Sequence, residues 1–412
     1  MDHRTLIKTV RFQRLSELVA APFFLPIAAA SLLTGLGDAV SGSYLTLFAV
    51  DKAHLSPLAL GIFLTVRALS GIAISTAFGR WLDLLPSPAP LFLALLMTVV
   101  GYAALTVTTQ YQLLLLIACL PLGTSAAAFP QLFAIAKGHL DQVGEETAER
   151  GIAVMRATWS VAWAVGPALG ALVITLFEFR GVFLTAAACA VVACFIVGSA
   201  RVHAACRTRI TDASRTAEAI RRTGFAASSF TLFHTAMFMG SIALPIVVTH
   251  NVGGTKGDVG LIFSVCAFLE VLVMGAFVLR PSSPGNRGWI SAGFVAFVLY
   301  FLAVTWAPST AIFLIAQVLR AIGIGFIGYQ GISYIQVLMP GRVGSAATLF
   351  SNTANAGSLF AGLAAGGWAQ VFGYPSMFLA CAGISGLGLL MIHLQSKMDK
   401  ARADDILRMI RR

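Results

Sequence analysis

GIAVMRATWSVAWAVGPALGALVITLF, residues Gly151 to Phe177, is a run of apolar and small residues interrupted by a single charge, Arg156. A helix crosses the hydrocarbon of a bilayer with about 20 such residues, so this run is long enough to span one. Its arginine then lies away from water, where a cation costs roughly 2.5 to 3.5 kcal/mol on insertion scales, and it has to face a protein interior, a polar cavity or a counter-charge. Further along the same run, Gly166, Pro167 and Gly170 make a GPxxG. The proline removes one helix hydrogen bond, and the glycines offer surfaces without side chains for close helix packing. The run reads as a helix that lines a pathway and bends at a built-in point.

The same composition extends along the chain. Of 412 residues 58% are hydrophobic and 11% charged, against roughly 25% charged in soluble domains. Twelve apolar stretches of spanning length lie near 22–50, 56–80, 90–108, 112–136, 151–176, 181–200, 225–250, 257–280, 288–307, 309–336, 344–371 and 373–395. The expected fold class is an all-α membrane protein with twelve transmembrane helices. Residues 1–21 are too charged for the apolar region of a signal peptide, so the first helix is expected to stay in the chain.

A net charge of +11 invites a nucleic-acid reading, but the placement of the 28 lysines and arginines argues against it. One side of the expected membrane collects 22 of them: Arg4, Lys8, Arg11, Arg14, Arg80, Lys137, Arg150, the arginines from Arg201 to Arg222, Arg280, Arg287, Arg342 and those from Lys397 onward. The other side holds Lys52, Arg180 and Lys256. This alternation is the positive-inside pattern and places both termini and the central loop in the cytoplasm. The expected partner is the lipid bilayer, not nucleic acid. The six cysteines have no paired or metal-ligand spacing, which suits small buried hydrophobes. GGTKGD at Gly253 lacks the spacing of a phosphate-binding loop. Neither a metal nor a cofactor is expected.

The polar stretch Arg201 to Gly224 divides the expected spans six and six. It gives an N-terminal six-helix bundle over 1–200, a basic cytoplasmic linker over 201–224 and a C-terminal six-helix bundle with a cytoplasmic tail over 225–412. An offset of 199 residues brings Gly61, Val66, Ala68, Ala77 and Phe78 onto identical residues of the second half, and Gln131 onto Gln330. Two such halves resemble the architecture of major facilitator transporters, whose binding site is expected at the membrane midplane.

Further motifs carry that resemblance. GRWLDLLPSPAPL, Gly79 to Leu91, resembles the facilitator loop signature at Gly79, Asp83 and Leu91, with Pro86, Ser87 and Pro88 in place of its glycine and basic residues. The resemblance implies gating at Gly79 and Asp83; a plain surface turn is the other reading. Arg320, Gly323 and Gly325 resemble the RxxG of a fourth span, whereas the fourth span here has Pro121 at that place. FPQLFAIAKGHLDQ from Phe129, VMRATWSVAWAVGP from Val154 and LMPGRVGSAATLFSNTANAGSLFAG from Leu338 are similar to the bacterial sugar efflux transporter family. Gly166, Pro167 and Gly170 also resemble the antiporter signature of exporters. The family implies a plasma-membrane (inner-membrane) exporter of sugars and glycoside analogues driven by proton entry, not an enzyme. Drug efflux by the same antiport is the alternative.

The residues support a transport site independently. Asp38, Arg67, Arg156, Glu270 and Arg320 are ionisable groups inside expected spans, where they mark pathways or pair with one another. Arg156, Trp159, Ser160 and Trp163 share one helix face. Guanidinium donors beside indoles suit a sugar, whose hydroxyls need hydrogen bonds and whose ring packs on aromatics. Gln131, Gln330, Tyr334, Asn352 and Asn355 are candidate polar partners, or else helix–helix hydrogen bonds worth about 0.6 to 2 kcal/mol each. Glu270 and Asp38 are the candidate proton-coupling acids, with Arg67 and Arg320 as supporting charges. An apolar setting favours the neutral form of a carboxyl and an adjacent arginine its charged form, so exchanging that partner would couple protonation to movement. His234 is a packing histidine or a reserve proton site. The protein is expected to work as a monomer on a small molecule.

Overall fold

The structure is a computed structural model, described over residues 23–85, 87–200, 217–279, 283, 285–339 and 343–410. The basic residues before 23, Pro86, linker residues 201–216, Arg280 and Arg342 lie outside the described residues. All regular structure among the described residues is helical. Hydrocarbon offers backbone groups no partners, and a helix satisfies them within its own segment.

In chain order the helices are α1 (Phe24–Gly42), α2 (Leu45–Asp51), α3 (Pro57–Leu84), α4 (Ala89–Leu105), α5 (Tyr111–Ile117), α6 (Ala128–Val143) and α7 (Glu145–Ser199). After the linker come α8 (Ala217–His250), α9 (Lys256–Leu279), α10 (Arg287–Thr305), α11 (Thr310–Leu338), α12 (Val343–Phe372) and α13 (Met377–Ile410). Nine helical segments among the described residues are long and apolar enough to cross a membrane. The difference from twelve has three sources. The fifth and sixth expected stretches form one 50-residue segment, Arg150–Ser199. Ala89–Leu105 is a shorter apolar helix. The 30-residue α12, rich in glycine, alanine and asparagine, is not among the nine. Inside α7 the backbone breaks at Glu178 (φ 53°, ψ −157°), between the two stretches the hydropathy separates.

Packing sorts the chain into two units, Met1–Leu45 with Leu69–Ile210 and Thr46–Ala68 with Thr211–Arg412. The first is built on α1 against α7. A side chain at Gly166 would come 2.5 Å from the Ala39 methyl, and one at Gly170 would come 2.7 Å from the Tyr44 ring. The GPxxG therefore brings two backbones together where larger residues would hold them apart. Tyr44 donates from its hydroxyl to the Pro167 carbonyl at 3.5 Å.

The fourth stretch is interrupted. A π-turn, Ala118–Leu122, contains Pro121, and a single helical turn follows at Gly123–Ser125. Proline has no N–H to give its helix, and the wider turn absorbs its ring. The Ser70 hydroxyl donates to the Cys119 carbonyl at this interruption.

The second unit is cored by aromatics, with Phe233 against Phe297 at 4.9 Å and Phe297 against Phe301 at 4.9 Å. Glycines seat these rings: a side chain at Gly323 would come 2.6 Å from Phe297. Residues 46–68 precede the linker, yet they pack with this unit. The physical reason is a backbone contact of Gly61 with α12, where a side chain at Gly61 would come 2.7 Å from the Gly362 carbonyl.

Candidate functional site

In the first unit, α7 turns Arg156, Trp159, Ser160 and Trp163 along the flank of its seam with α1. Trp159 lies over Gly35, where a side chain would come 2.9 Å from the indole. Its ring meets Phe129 of α6 edge-on at 4.4 Å, so two helices and a glycine fix the indole. Trp163 is half-buried and ranges over Gly42. Arg156 is exposed, and its guanidinium has no hydrogen-bond or ion-pair partner among the described residues. Ser160 donates to the Arg156 carbonyl at 3.2 Å, which leaves the arginine's side chain uninvolved.

Gln131 is 2% exposed, and its Oε1 has no hydrogen-bond partner among the described residues. A buried amide oxygen left in that state costs about 1 to 3 kcal/mol, which marks the position as one that a bound hydroxyl or water would satisfy. Asp38 and Arg67 are half-buried, and each has an interaction within the protein. Gly79 lies within α3 with open space where a side chain would go. Asp83, on the last turn of α3, is exposed and has no ion pair among the described residues.

In the second unit, Arg320 of α11 is 6% exposed. Its Nη2 donates to the Ser241 hydroxyl at 2.7 Å and its Nη1 reaches the Gln317 amide oxygen at 3.5 Å. The guanidinium also lies over the Phe263 ring at 5.3 Å and the Tyr300 ring at 5.9 Å. Such contacts with ring faces, about 2 kcal/mol when desolvated, help hold a buried cation. Glu270 of α9 is half-buried and feels the charge of Arg320. The two residues thus stand on neighbouring helices, with the Glu270 carbonyl of α9 3.9 Å from where a side chain at Gly325 of α11 would stand, and no ion pair joins them among the described residues.

Gln330 is fully buried, but its Oε1 accepts from the Asn286 backbone N–H at 3.1 Å and so anchors the start of α10. Tyr334 lies under the Arg287 guanidinium at 5.3 Å. Asn352 and Asn355 are exposed on α12, apart from that anchor. The His234 Nδ1 lies 2.8 Å from the Phe230 carbonyl and 3.2 Å from the Thr353 hydroxyl, in an aromatic setting.

Sequence reasoning missed Ser241, Gln317 and Tyr300 around Arg320. Gln317 stands one helical turn before Arg320 and could have been found from that spacing; the other two come from helices distant in the chain.

Spanning helices that hold cations, amides and indoles inside two packed units define the class of polytopic membrane transporters. The model of the Major Facilitator Superfamily matches residues 27–280. A Deinococcus radiodurans protein described as a sugar efflux transporter is 38% identical over 88% of this chain and 95% of its own length. Sugar efflux transporter C of Escherichia coli is 27% identical over 92% of this chain and 96% of its own. A crystal structure of a POT family transporter in complex with 5-aminolevulinic acid has the same fold, with a TM-score of 0.77 and 12% identity, over 91% of this chain and 96% of that one. The chain belongs to the Major Facilitator Superfamily, and the kinship with sugar efflux transporters expected from its motifs is borne out. It is a multi-pass membrane transporter, not an enzyme.

Proposed function

We propose that the protein exports sugars or glycoside analogues across the bacterial inner membrane by proton antiport. Its two six-helix bundles would alternate access, and both termini would lie in the cytoplasm. The observation that carries this reading is the α7 face, where the unengaged guanidinium of Arg156 stands with Trp159, Ser160 and Trp163. Such a face offers fixed donors and an aromatic plane to a sugar ring. The names of the Deinococcus radiodurans and Escherichia coli relatives agree with it. Gln131 is proposed to complete the binding face. Asn352 and Asn355 are further substrate contacts, and Gln330 contributes through the anchor it makes. Glu270 and Asp38 carry the proton, with Arg320 and Arg67 as supporting charges, and the proton gradient supplies the energy.

Everted membrane vesicles test the reading. Radiolabelled lactose, glucose, arabinose and a thio-galactoside, with ethidium beside them, are offered with and without a proton gradient. Gradient-dependent sugar accumulation that Arg156→Ala abolishes is the expected result. Accumulation of ethidium alone would replace it with drug efflux, and sugar equilibration indifferent to the gradient would remove the antiport.

A further inference from the structure

His234 lies near the middle of the 28-residue segment Thr223–His250 of α8, and its ring is held from several sides. The Phe233 and Phe350 rings meet it edge-on at 5.2 and 5.4 Å, and Phe238 stacks at 6.5 Å. α12 presses on its root, since a side chain at Gly357 would come 2.5 Å from the His234 Cβ.

The two nitrogens of this ring have different surroundings. Nδ1 lies 2.8 Å from the Phe230 carbonyl, one turn back on α8. A carbonyl only accepts, so Nδ1 carries the hydrogen and donates it. The other neighbour of Nδ1 is the Thr353 hydroxyl at 3.2 Å, which gives its own hydrogen to the Phe350 carbonyl at 2.6 Å and turns a lone pair to the ring. No charged group acts on the ring among the described residues, and a buried imidazole without a counter-charge is neutral. Its second nitrogen, Nε2, is then an acceptor.

That acceptor has nothing to accept: among the described residues Nε2 has no hydrogen-bond partner. It is also within reach. His234 is 7% exposed, and whereas the orphan Oε1 of Gln131 is shut in, the His234 Nε2 is not. The partner helix presents polar groups beside it. Thr353 adjoins a stripe of α12 on which Thr348, Asn352 and Asn355 fall at i, i+4 and i+7, and both asparagines are exposed.

We propose that His234, fixed by Phe230 and Thr353 with its hydrogen on Nδ1, presents Nε2 to the transported sugar and so demands a hydroxyl donor at one position of the sugar ring. Its part is to select the substrate, not to carry the proton. The proposal rests on the sugar-export reading.

The test measures equilibrium binding to the full chain purified in detergent. The probes are whichever of lactose, glucose, arabinose and the thio-galactoside the parent accumulates, together with the monodeoxy and monofluoro analogues of that sugar. Fluorine has nearly the size of a hydroxyl and cannot donate a hydrogen bond. At one ring position, fluorine is expected to weaken binding to the parent at least about tenfold. His234→Asn keeps an amide N–H for the Phe230 carbonyl and loses the acceptor at the Nε2 place. It is expected to bind the unmodified sugar about tenfold more weakly, and the fluoro analogue no worse than the parent does, so that the two losses do not add. His234→Gln, whose amide oxygen reaches the Nε2 place, should recover part of the affinity.

Losses that add in His234→Asn would overturn the contact and leave the residue structural. Because that substitution can also disturb the seam of α8 with α12, the parent alone provides a second arm: fluoro analogues that all bind as tightly as the sugar would overturn the demand for a donor. A His234→Gln variant that binds like the parent yet loses gradient-driven accumulation in everted vesicles would make the residue a proton carrier and overturn its selecting role. A parent that neither binds nor moves any of these sugars fails the export reading and this proposal with it. A parent that exports sugar while all His234 variants bind as it does overturns this proposal alone.

Discussion

Arg320 commits its guanidinium to Ser241, Gln317 and two aromatic rings, whereas Arg156 has no partner among the described residues. The difference predicts opposite consequences of substitution. Ser241→Ala removes a hydrogen bond to a buried charge, and unfolding free energy is expected to fall by about 1.5 to 3 kcal/mol. Tyr300→Phe, one helix away, is expected to be nearly neutral: its hydroxyl lies beside the Gln317 amide but makes no hydrogen bond of good geometry. Denaturant titration of the purified protein in detergent ranks the two, and the reverse order would refute this account of the nest. Arg156→Ala is expected to leave that titration unchanged and to lower kcat/KM for sugar export about 10- to 100-fold, or about 1.4 to 2.7 kcal/mol. Arg156→Lys should restore only part of it, since an ammonium lacks the planar fork of donors. A loss of stability in Arg156→Ala without a change in kcat/KM would make the residue structural. Arg156 was legible in the sequence because a lone charge in an apolar run needs a reason. The nest around Arg320 was not, because Ser241 and Tyr300 reach it from α8 and α10 and hydropathy carries no information on which helices meet.

At the scale of elements, the residues announced one close packing and one proline interruption, while what fills the first and accommodates the second came from the structure. Gly166, Pro167 and Gly170 announced close packing, and α1 fills the space they leave, with Ala39 and Tyr44 where side chains would stand. Gly166→Leu is accordingly expected to abolish folded protein in membranes, while Gly79→Ala, with nothing within 4 Å of the added carbon, should accumulate normally. Immunoblotting of membrane fractions separates them, and normal accumulation of Gly166→Leu would contradict the α1–α7 seam. The fourth stretch is subtler. Pro121 was readable as a departure from the RxxG motif, but not the π-turn that accommodates it or the Ser70 hydroxyl that satisfies Cys119. Ser70→Ala leaves that carbonyl without its partner, at an expected cost of about 1 to 3 kcal/mol. Combining it with Pro121→Ala, which lets the helix close regularly, should recover much of the loss. Additive losses in the double variant would disconnect the serine from the proline. The break at Glu178 illustrates the limit of periodicity: hydropathy separates two spans at 176–181, while the backbone continues helically to one residue and reverses there.

For the molecule as a whole, the question is how a proton could be tied to the movement of a sugar, and the arrangement in the second unit supplies an argument. Glu270 feels the charge of Arg320, yet Arg320 is held by Ser241 and Gln317. A guanidinium so anchored is a fixed reference charge, and a carboxylate on another helix, α9, gains or loses that charge's influence as the helices shift. Because an adjacent cation favours the charged carboxylate and apolar surroundings the neutral one, the shift would take up or release a proton without moving the arginine. Glu270→Gln keeps the shape and hydrogen bonding of the neutral acid and cannot titrate. It is therefore expected to retain sugar binding and sugar–sugar exchange near the parental rate while losing at least about tenfold of gradient-driven accumulation in everted vesicles. Asp38→Asn tests the other mid-span acid in the same assay, and Ser241→Ala, which loosens the anchor, should weaken driven accumulation more than exchange. Full driven accumulation in Glu270→Gln would take this residue out of the coupling. If Asp38→Asn alone then lost it, the coupling would lie in the first unit, beside the face of Arg156.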